Sequence, residues 1–273
     1  MPRIHIFIDG SWLFKVAGPD HVLAAKTDRP DCSVRLDFAR LDQSLLRHVR
    51  NHADCEALGT RYFATSIFML PDDLDNWPAV DNDIRPDRLR HIRRVIHARN
   101  EFVNNALDAG YSGDAVVRPS LRPWILKRLI SKDYQEKQVD TMVVALLVRS
   151  AIMQPEDYHC IITGDADILP AVQVTYSDTS NVFVATTHPD ELCAEHRHTA
   201  FSLANFEFRI PPFYLQDNLA QIIAGNHIYT CAYCSRIFTR REPIPKNTPR
   251  PCCSFCHRQR RQRPRAKRIQ NIL

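Results

Sequence analysis

Between residues 139 and 172 the spacing of apolar positions changes character twice. Val139, Met142, Val143, Leu146 and Leu147 recur at i, i+3, i+4, i+7 and i+8, one face of a helix. Cys160-Ile161-Ile162 is a short unbroken apolar run, as expected of a parallel strand covered on both faces. It leads into the turn Gly164-Asp165-Ala166-Asp167. The start of the chain repeats the theme, because Arg3 to Ile8 reads as a strand that ends in Asp9-Gly10-Ser11. In between, Asp37 is placed to cap a helix over 38–50 with Phe38, Leu41, Leu45 and Val49 on one face. A strand is expected over 62–70, then a proline-rich acidic loop over 71–87 and a helix over 88–109 that stops at Gly110. Val116 and Val117 mark a third strand, and 118–138 reads as basic and irregular. Beyond the Gly-Asp turn, a helix over 168–175, a strand over 181–185 and a helix over 215–224 complete the pattern. Alternating strands and helices predict an α/β fold with a mainly parallel sheet. The domain expected to carry it covers 1–224, with a separate small module over 225–273.

Charge sharpens that division. The net charge of +5 is modest, but residues 225–273 hold twelve Lys and Arg against one acid, Glu242. That segment is +11, which leaves 24 bases and 30 acids, or −6, on the rest. A basic tail on an acidic body suits a chain in which one part meets a polyanion and another holds cations. No apolar run approaches the ~20 residues that span a bilayer, and no signal-peptide pattern opens the chain, so a cytoplasmic protein with no membrane partner is expected. Cysteines are as uneven as charge: five of nine lie between 231 and 256. Cys231-Ala-Tyr-Cys234 and Cys253-Ser-Phe-Cys256, eighteen residues apart, have the spacing of a four-cysteine zinc ribbon, in which Zn²⁺ is structural. Cys252 is an alternative ligand to Cys253, which keeps the two-residue spacing. Arg240, Arg241, Arg258, Arg260, Arg261, Arg263, Arg265, Lys267 and Arg268 surround or follow this module and are candidate nucleic-acid contacts. Tyr233, Phe238 and Phe255 offer faces on which bases can stack.

The carboxylates are the second chemical signal. In a parallel sheet, ligands bind beyond the carboxyl ends of the strands. Two apolar strands distant in sequence both run out in aspartate, so neighbouring strands would bring Asp9, Asp165 and Asp167 together. Asp140 lies in the first turn of its helix, where the dipole favours negative charge. Singly, these residues have plainer readings: a helix cap for Asp9, turn formers for Asp165 and Asp167. Together they repel, and a raised pKa or a bound cation relieves the repulsion. Hard oxygen ligands suit Mg²⁺ or Mn²⁺. Thr163 and Ser11 are placed to support the set by hydrogen bonding.

IFIDGSW, KQVDTMVVALLV and CIITGDADILPAV, in that order over roughly residues 3 to 205, resemble the NYN family of PIN-like nucleases. The resemblance implies a PIN-like, Rossmann-like three-layer domain and a metal-dependent nuclease, an endoribonuclease that hydrolyses RNA. It implies Asp9, Asp140, Asp165 and Asp167 as catalytic metal ligands and Lys137 beside the scissile phosphate. Two positions depart from the pattern. The family commonly has asparagine in place of Trp12 and a second aspartate in place of Leu147. These departures motivate the alternative of a catalytically impaired protein that keeps the fold for RNA binding or complex assembly.

Overall fold

The computed structural model describes residues 1–72, 86–131, 138–188, 203, 206–245 and 250–262. In chain order its elements are β1 (Arg3–Asp9), α1 (Gly10–Val16), α2 (Val22–Ala25), α3 (Phe38–Arg50), β2 (Ala57–Ser66), α4 (Pro86–Asp108), β3 (Val116–Val117), α5 (Pro123–Ser131), α6 (Gln138–Met153), β4 (Tyr158–Ile162), α7 (Leu169–Asp178), β5 (Val182–Thr186), β6 (Phe213–Tyr214), α8 (Leu219–Ile222), β7 (His227–Thr230), β8 (Ile237–Arg240) and α9 (Ser254–Gln262). Among the described residues, no helix is long and apolar enough to cross a membrane.

The first compact unit comprises Met1–Phe14 and Leu45–Phe213. Its apolar strands form a sheet because they cannot be left with either face in water: β4 and β5 are buried throughout, and β1 is buried from Ile4 to Asp9. The order is β3-β2-β1-β4-β5-β6, and the pairings from β3 through β5 are all parallel. The chain winds outward from β1 to β3 on one side and from β4 onward on the other. Its direction therefore reverses between β1 and β4, where a doubly wound sheet opens its binding crevice. Helices cover both faces. Val139, Val143 and Leu147 of α6 share a buried cluster with Phe7 and Ile161. On the opposite face Phe63 meets Phe102 of α4 edge to face, with ring centroids 5.9 Å apart.

The second compact unit comprises Lys15–Ser44 and Tyr214–Leu273. Strands β7 and β8 make an antiparallel hairpin. The chain at 26–28 lies along β8: Ile237 N–H donates to the Lys26 carbonyl at 2.8 Å, and Asp28 N–H donates to the Ile237 carbonyl at 2.9 Å. Compact units therefore part elsewhere than at the 224/225 division expected from composition. Residues 15–44 and 214–224 associate with the cysteine module, which is too short to bury much surface by itself.

Local differences have local causes. Residues 123–131, read as irregular, form α5, because Leu121, Ile125 and Leu126 are buried against Phe68, Leu89 and Ile92 beneath an otherwise basic surface. The strand expected over 62–70 begins at Ala57, where it pairs with Arg3, and ends at Ser66. Of the helix expected over 215–224, only the four residues of α8 are helical. Most of the proline-rich loop over 71–87, residues 73–85, lies outside the described residues.

Candidate metal centres

Asp9 is the last residue of β1 and is 1% exposed. Asp140 stands in the first turn of α6, and Asp165 follows β4 by three residues and caps the 3-10 turn Ala166–Ile168. One carboxylate oxygen from each of the three lies within 4.8 Å of the others, at the ends of β1 and β4, where the winding of the chain reverses. Thr163 locks the arrangement. Its hydroxyl donates to Asp9 Oδ2 at 3.2 Å and accepts the Asp165 N–H at 3.0 Å. Asp9 Oδ1 accepts the Trp12 N–H at 3.0 Å. Burial, reinforced by the charges of Asp140 and Asp165, outweighs these two hydrogen bonds and raises the Asp9 carboxyl to about 6. A bound divalent ion would relieve this charge conflict.

Asp167 is not in this group. It is exposed, and its backbone N–H donates to Asp165 Oδ1 at 3.0 Å. The Asx turn thus uses Asp167 to aim Asp165. Lys137 lies outside the described residues. Leu147 is wholly buried in the α6 core cluster, two turns from Asp140. Trp12 is 8% exposed and lies against the Gly-Asp turn: a Cβ at Gly164 would fall 2.6 Å from three indole atoms. Glycine is required there by the tryptophan, because any side chain would displace the ring.

Ser11 bonds a cation that the apolar pattern does not disclose. Arg99 of α4 donates through Nη2 to Ser11 Oγ and, at 3.1 Å, to Thr65 Oγ1. Two hydroxyls thus hold one guanidinium where β1 and β2 end. The sequence signal was the arginine-rich character of α4, which is equally that of a solvated helix face.

In the second unit, Cys231, Cys234, Cys253 and Cys256 present sulfurs within 4.8 Å of one another. The Cys234 and Cys253 sulfurs are 3.7 Å apart, and a tetrahedral site with Zn–S near 2.3 Å requires sulfurs about 3.8 Å apart. Backbone N–H groups point at the thiols: Cys253 N–H donates to Cys231 Sγ at 3.4 Å and Cys256 N–H to Cys253 Sγ at 3.5 Å. Burial pushes the Cys231 thiol up, but the N–H groups of Cys253, Tyr233 and Cys234 outweigh it and bring it to about 6, whereas burial and the Cys231 and Cys234 side chains push the Cys253 thiol up. Ser235, in the left-handed region at φ 58°, closes the first turn. The four cysteines are thus positioned to bind a metal ion and are compatible with structural zinc, and Cys253 is the group's member in place of Cys252.

Arg240, Arg241 and Arg258 are exposed. Arg240 lines a cavity of about 470 Å³ together with Arg29 and His257. Arg260 and Arg261 belong to α9, with side chains outside the described set, and Arg263, Arg265, Lys267 and Arg268 lie outside the described residues. No family model matches this chain, and no curated protein or solved structure matches it either.

Proposed function

We propose that this chain is a metal-dependent nuclease of the NYN, PIN-like type that hydrolyses phosphodiester bonds in RNA. The observation that carries the reading is the convergence of Asp9, Asp140 and Asp165, from three separate segments, at the switch point of a parallel sheet. The order of the motifs around those residues supports the family, and RNA as substrate rests on that resemblance. Asp9, Asp140 and Asp165 would hold Mg²⁺ or Mn²⁺, which supplies an activated water and stabilises charge on the phosphate oxygens. Thr163 fixes Asp9 relative to Asp165, and Asp167 orients Asp165 through its backbone. The cysteine module and the basic segment after it serve as the handle for the polyanion. Among the described residues no cysteine is in a disulfide, in keeping with a cytoplasmic protein.

A second reading, RNA binding without cleavage, is favoured by Trp12, whose indole lies on the turn that carries Asp165. Cleavage assays separate the two. Labelled RNA and DNA are incubated with full-length protein in Mn²⁺, Mg²⁺ or EDTA, beside Asp165→Asn. The proposal predicts cutting of RNA that needs the divalent ion and disappears in the variant. Binding without cutting under every condition supports the second reading, and cutting that survives EDTA contradicts the mechanism.

A further inference from the structure

Helix α5 has an outer face that the fold does not use. Leu121, Ile125 and Leu126 anchor the segment against Phe68 and α4. Outside, Trp124 is 56% exposed, an uncommon state for so large an apolar side chain. The Arg128 guanidinium stands 5.8 Å from the Trp124 ring centroid, one helical turn further on. Residues 118–131 contain four bases and no acid, and all four, Arg118, Arg122, Lys127 and Arg128, are exposed.

The position of this face matters as much as its chemistry. Backbone pairing between the β2 and β3 segments continues past the strands proper. Ile67 N–H donates to the Val117 carbonyl at 2.9 Å, Met69 N–H to Pro119 at 2.9 Å, and Leu121 N–H to Met69 at 3.0 Å. Helix α5 therefore starts at the carboxyl edge of the sheet, the edge on which Asp9 ends β1. Arg118 donates to Asn100 Oδ1 at 3.3 Å, and Asn100 is next in sequence to Arg99, which Ser11 and Thr65 hold at the ends of β1 and β2. Cations thus occur at successive stations along one edge, from the carboxylate site to the exposed indole. Spaced phosphate contacts with an aromatic face among them are the pattern by which proteins hold single strands. A duplex keeps its bases stacked inside and has no use for the indole.

We propose that Trp124, with Arg128 and Arg118, forms a subsite in which an unpaired base of a single-stranded RNA stacks while its phosphates follow the edge toward the carboxylates. This rests on the nuclease reading and adds the part of the substrate that is recognised away from the scissile bond. Trp124 and the two arginines are positioning residues. They touch no reacting atom.

The test uses full-length, zinc-loaded protein carrying Asp165→Asn, which prevents turnover during titration. A single-stranded RNA of about twelve nucleotides is added at about 0.5 M salt, where phosphate attraction is screened and stacking persists. Binding is read by strand anisotropy and by quenching of tryptophan fluorescence. Trp124→Ala should weaken single-strand binding about tenfold, the lower part of the range for one lost stack, and remove most of the quenching. Trp124→Phe should hold affinity within about threefold, because it keeps an aromatic face. A duplex of the same sequence should not distinguish the variants. Trp124→Ala binding within twofold of its parent, with quenching intact, overturns the subsite. Equal losses on duplex and single strand overturn it too, since they report phosphate contact alone. Metal-dependent cleavage by protein with native Asp165 is scored in parallel. If cleavage is present and Trp124→Ala is neutral, the subsite alone fails. If the protein neither binds nor cuts RNA, the nuclease reading fails with it.

Discussion

Replacing Asp9 by asparagine should make the metal-free protein more stable while removing its response to divalent ions. The substituted amide keeps an oxygen to accept the Trp12 N–H and can direct its NH₂ group at the Thr163 hydroxyl, so the hydrogen bonds that Asp9 makes have neutral counterparts. What disappears is a buried charge. The native carboxyl is raised from 3.8 to about 6, chiefly by burial. At 1.36 kcal/mol per tenfold change in proton affinity, this corresponds to about 3 kcal/mol. The sign follows from proton uptake. The folded state holds the Asp9 proton more tightly than the unfolded chain, so it binds more protons between pH 3.8 and about 6, and stability falls as pH rises through that window. Below it there is no penalty, and above it the penalty is complete. Urea unfolding of zinc-loaded protein, freed of Mg²⁺ and Mn²⁺, should therefore show Asp9→Asn more stable by up to about 3 kcal/mol at pH 7.5, with the advantage down to about 1 kcal/mol at pH 4.5 and gone below pH 3.8. Mn²⁺ at one hundred times its Kd should add about 2.7 kcal/mol to the native protein and nothing to the variant. An Asp9→Asn protein that is less stable at pH 7.5, or an advantage that does not shrink on acidification, refutes the idea that Asp9 is a strained carboxylate awaiting a cation.

Three further outcomes follow from other parts of the chain. Elemental analysis should find one zinc per chain, lost in a Cys231→Ser, Cys234→Ser double variant and retained in Cys252→Ser; zinc-free native protein would contradict the cysteine site. Gly164→Ala should cost about 1–3 kcal/mol in urea unfolding, because the added methyl overlaps the Trp12 ring; a neutral result would mean that the indole moves freely. Removing residues 263–273 takes away Arg263, Arg265, Lys267 and Arg268. If all four meet phosphates, the slope of log affinity against log salt for a single strand should become shallower by about 3, and an unchanged slope would make that segment a bystander.

Much of this architecture was legible because its signals are local. The helical period from Val139 to Leu147 and the unbroken apolar runs ending at Asp9 and Ile162 report burial directly, and the strand ends bring Asp9 and Asp165 to one sheet edge, while Asp140 joins the set only through the family resemblance. The cysteine spacing is equally self-contained. What escaped depends on partners distant in sequence. Residues 26–28 reveal nothing of their pairing with Ile237, so composition set a boundary at 225 that the compact units do not follow. Helix α5 was hidden because its exposed face is basic and its buried face is short, with Phe68, Leu89 and Ile92 completing it from elsewhere. The strand-end position and the family resemblance both put Asp167 with Asp165, whereas the turn sends one carboxylate to the cluster and leaves the other exposed. Leu147 shows the opposite lesson: its apolar character is explained by the core it occupies between α6 and the sheet.

The central claim is that three particular carboxylates hold one divalent ion, and counting bound Mn²⁺ by electron paramagnetic resonance tests it most directly. Zinc-loaded native protein should bind one Mn²⁺ per chain. Asp9→Asn and Asp165→Asn should each abolish that binding, while Asp167→Asn, which keeps the backbone N–H that orients Asp165, should retain it. No stoichiometric Mn²⁺ on the native protein, or the same binding in Asp9→Asn and Asp165→Asn, would contradict the account.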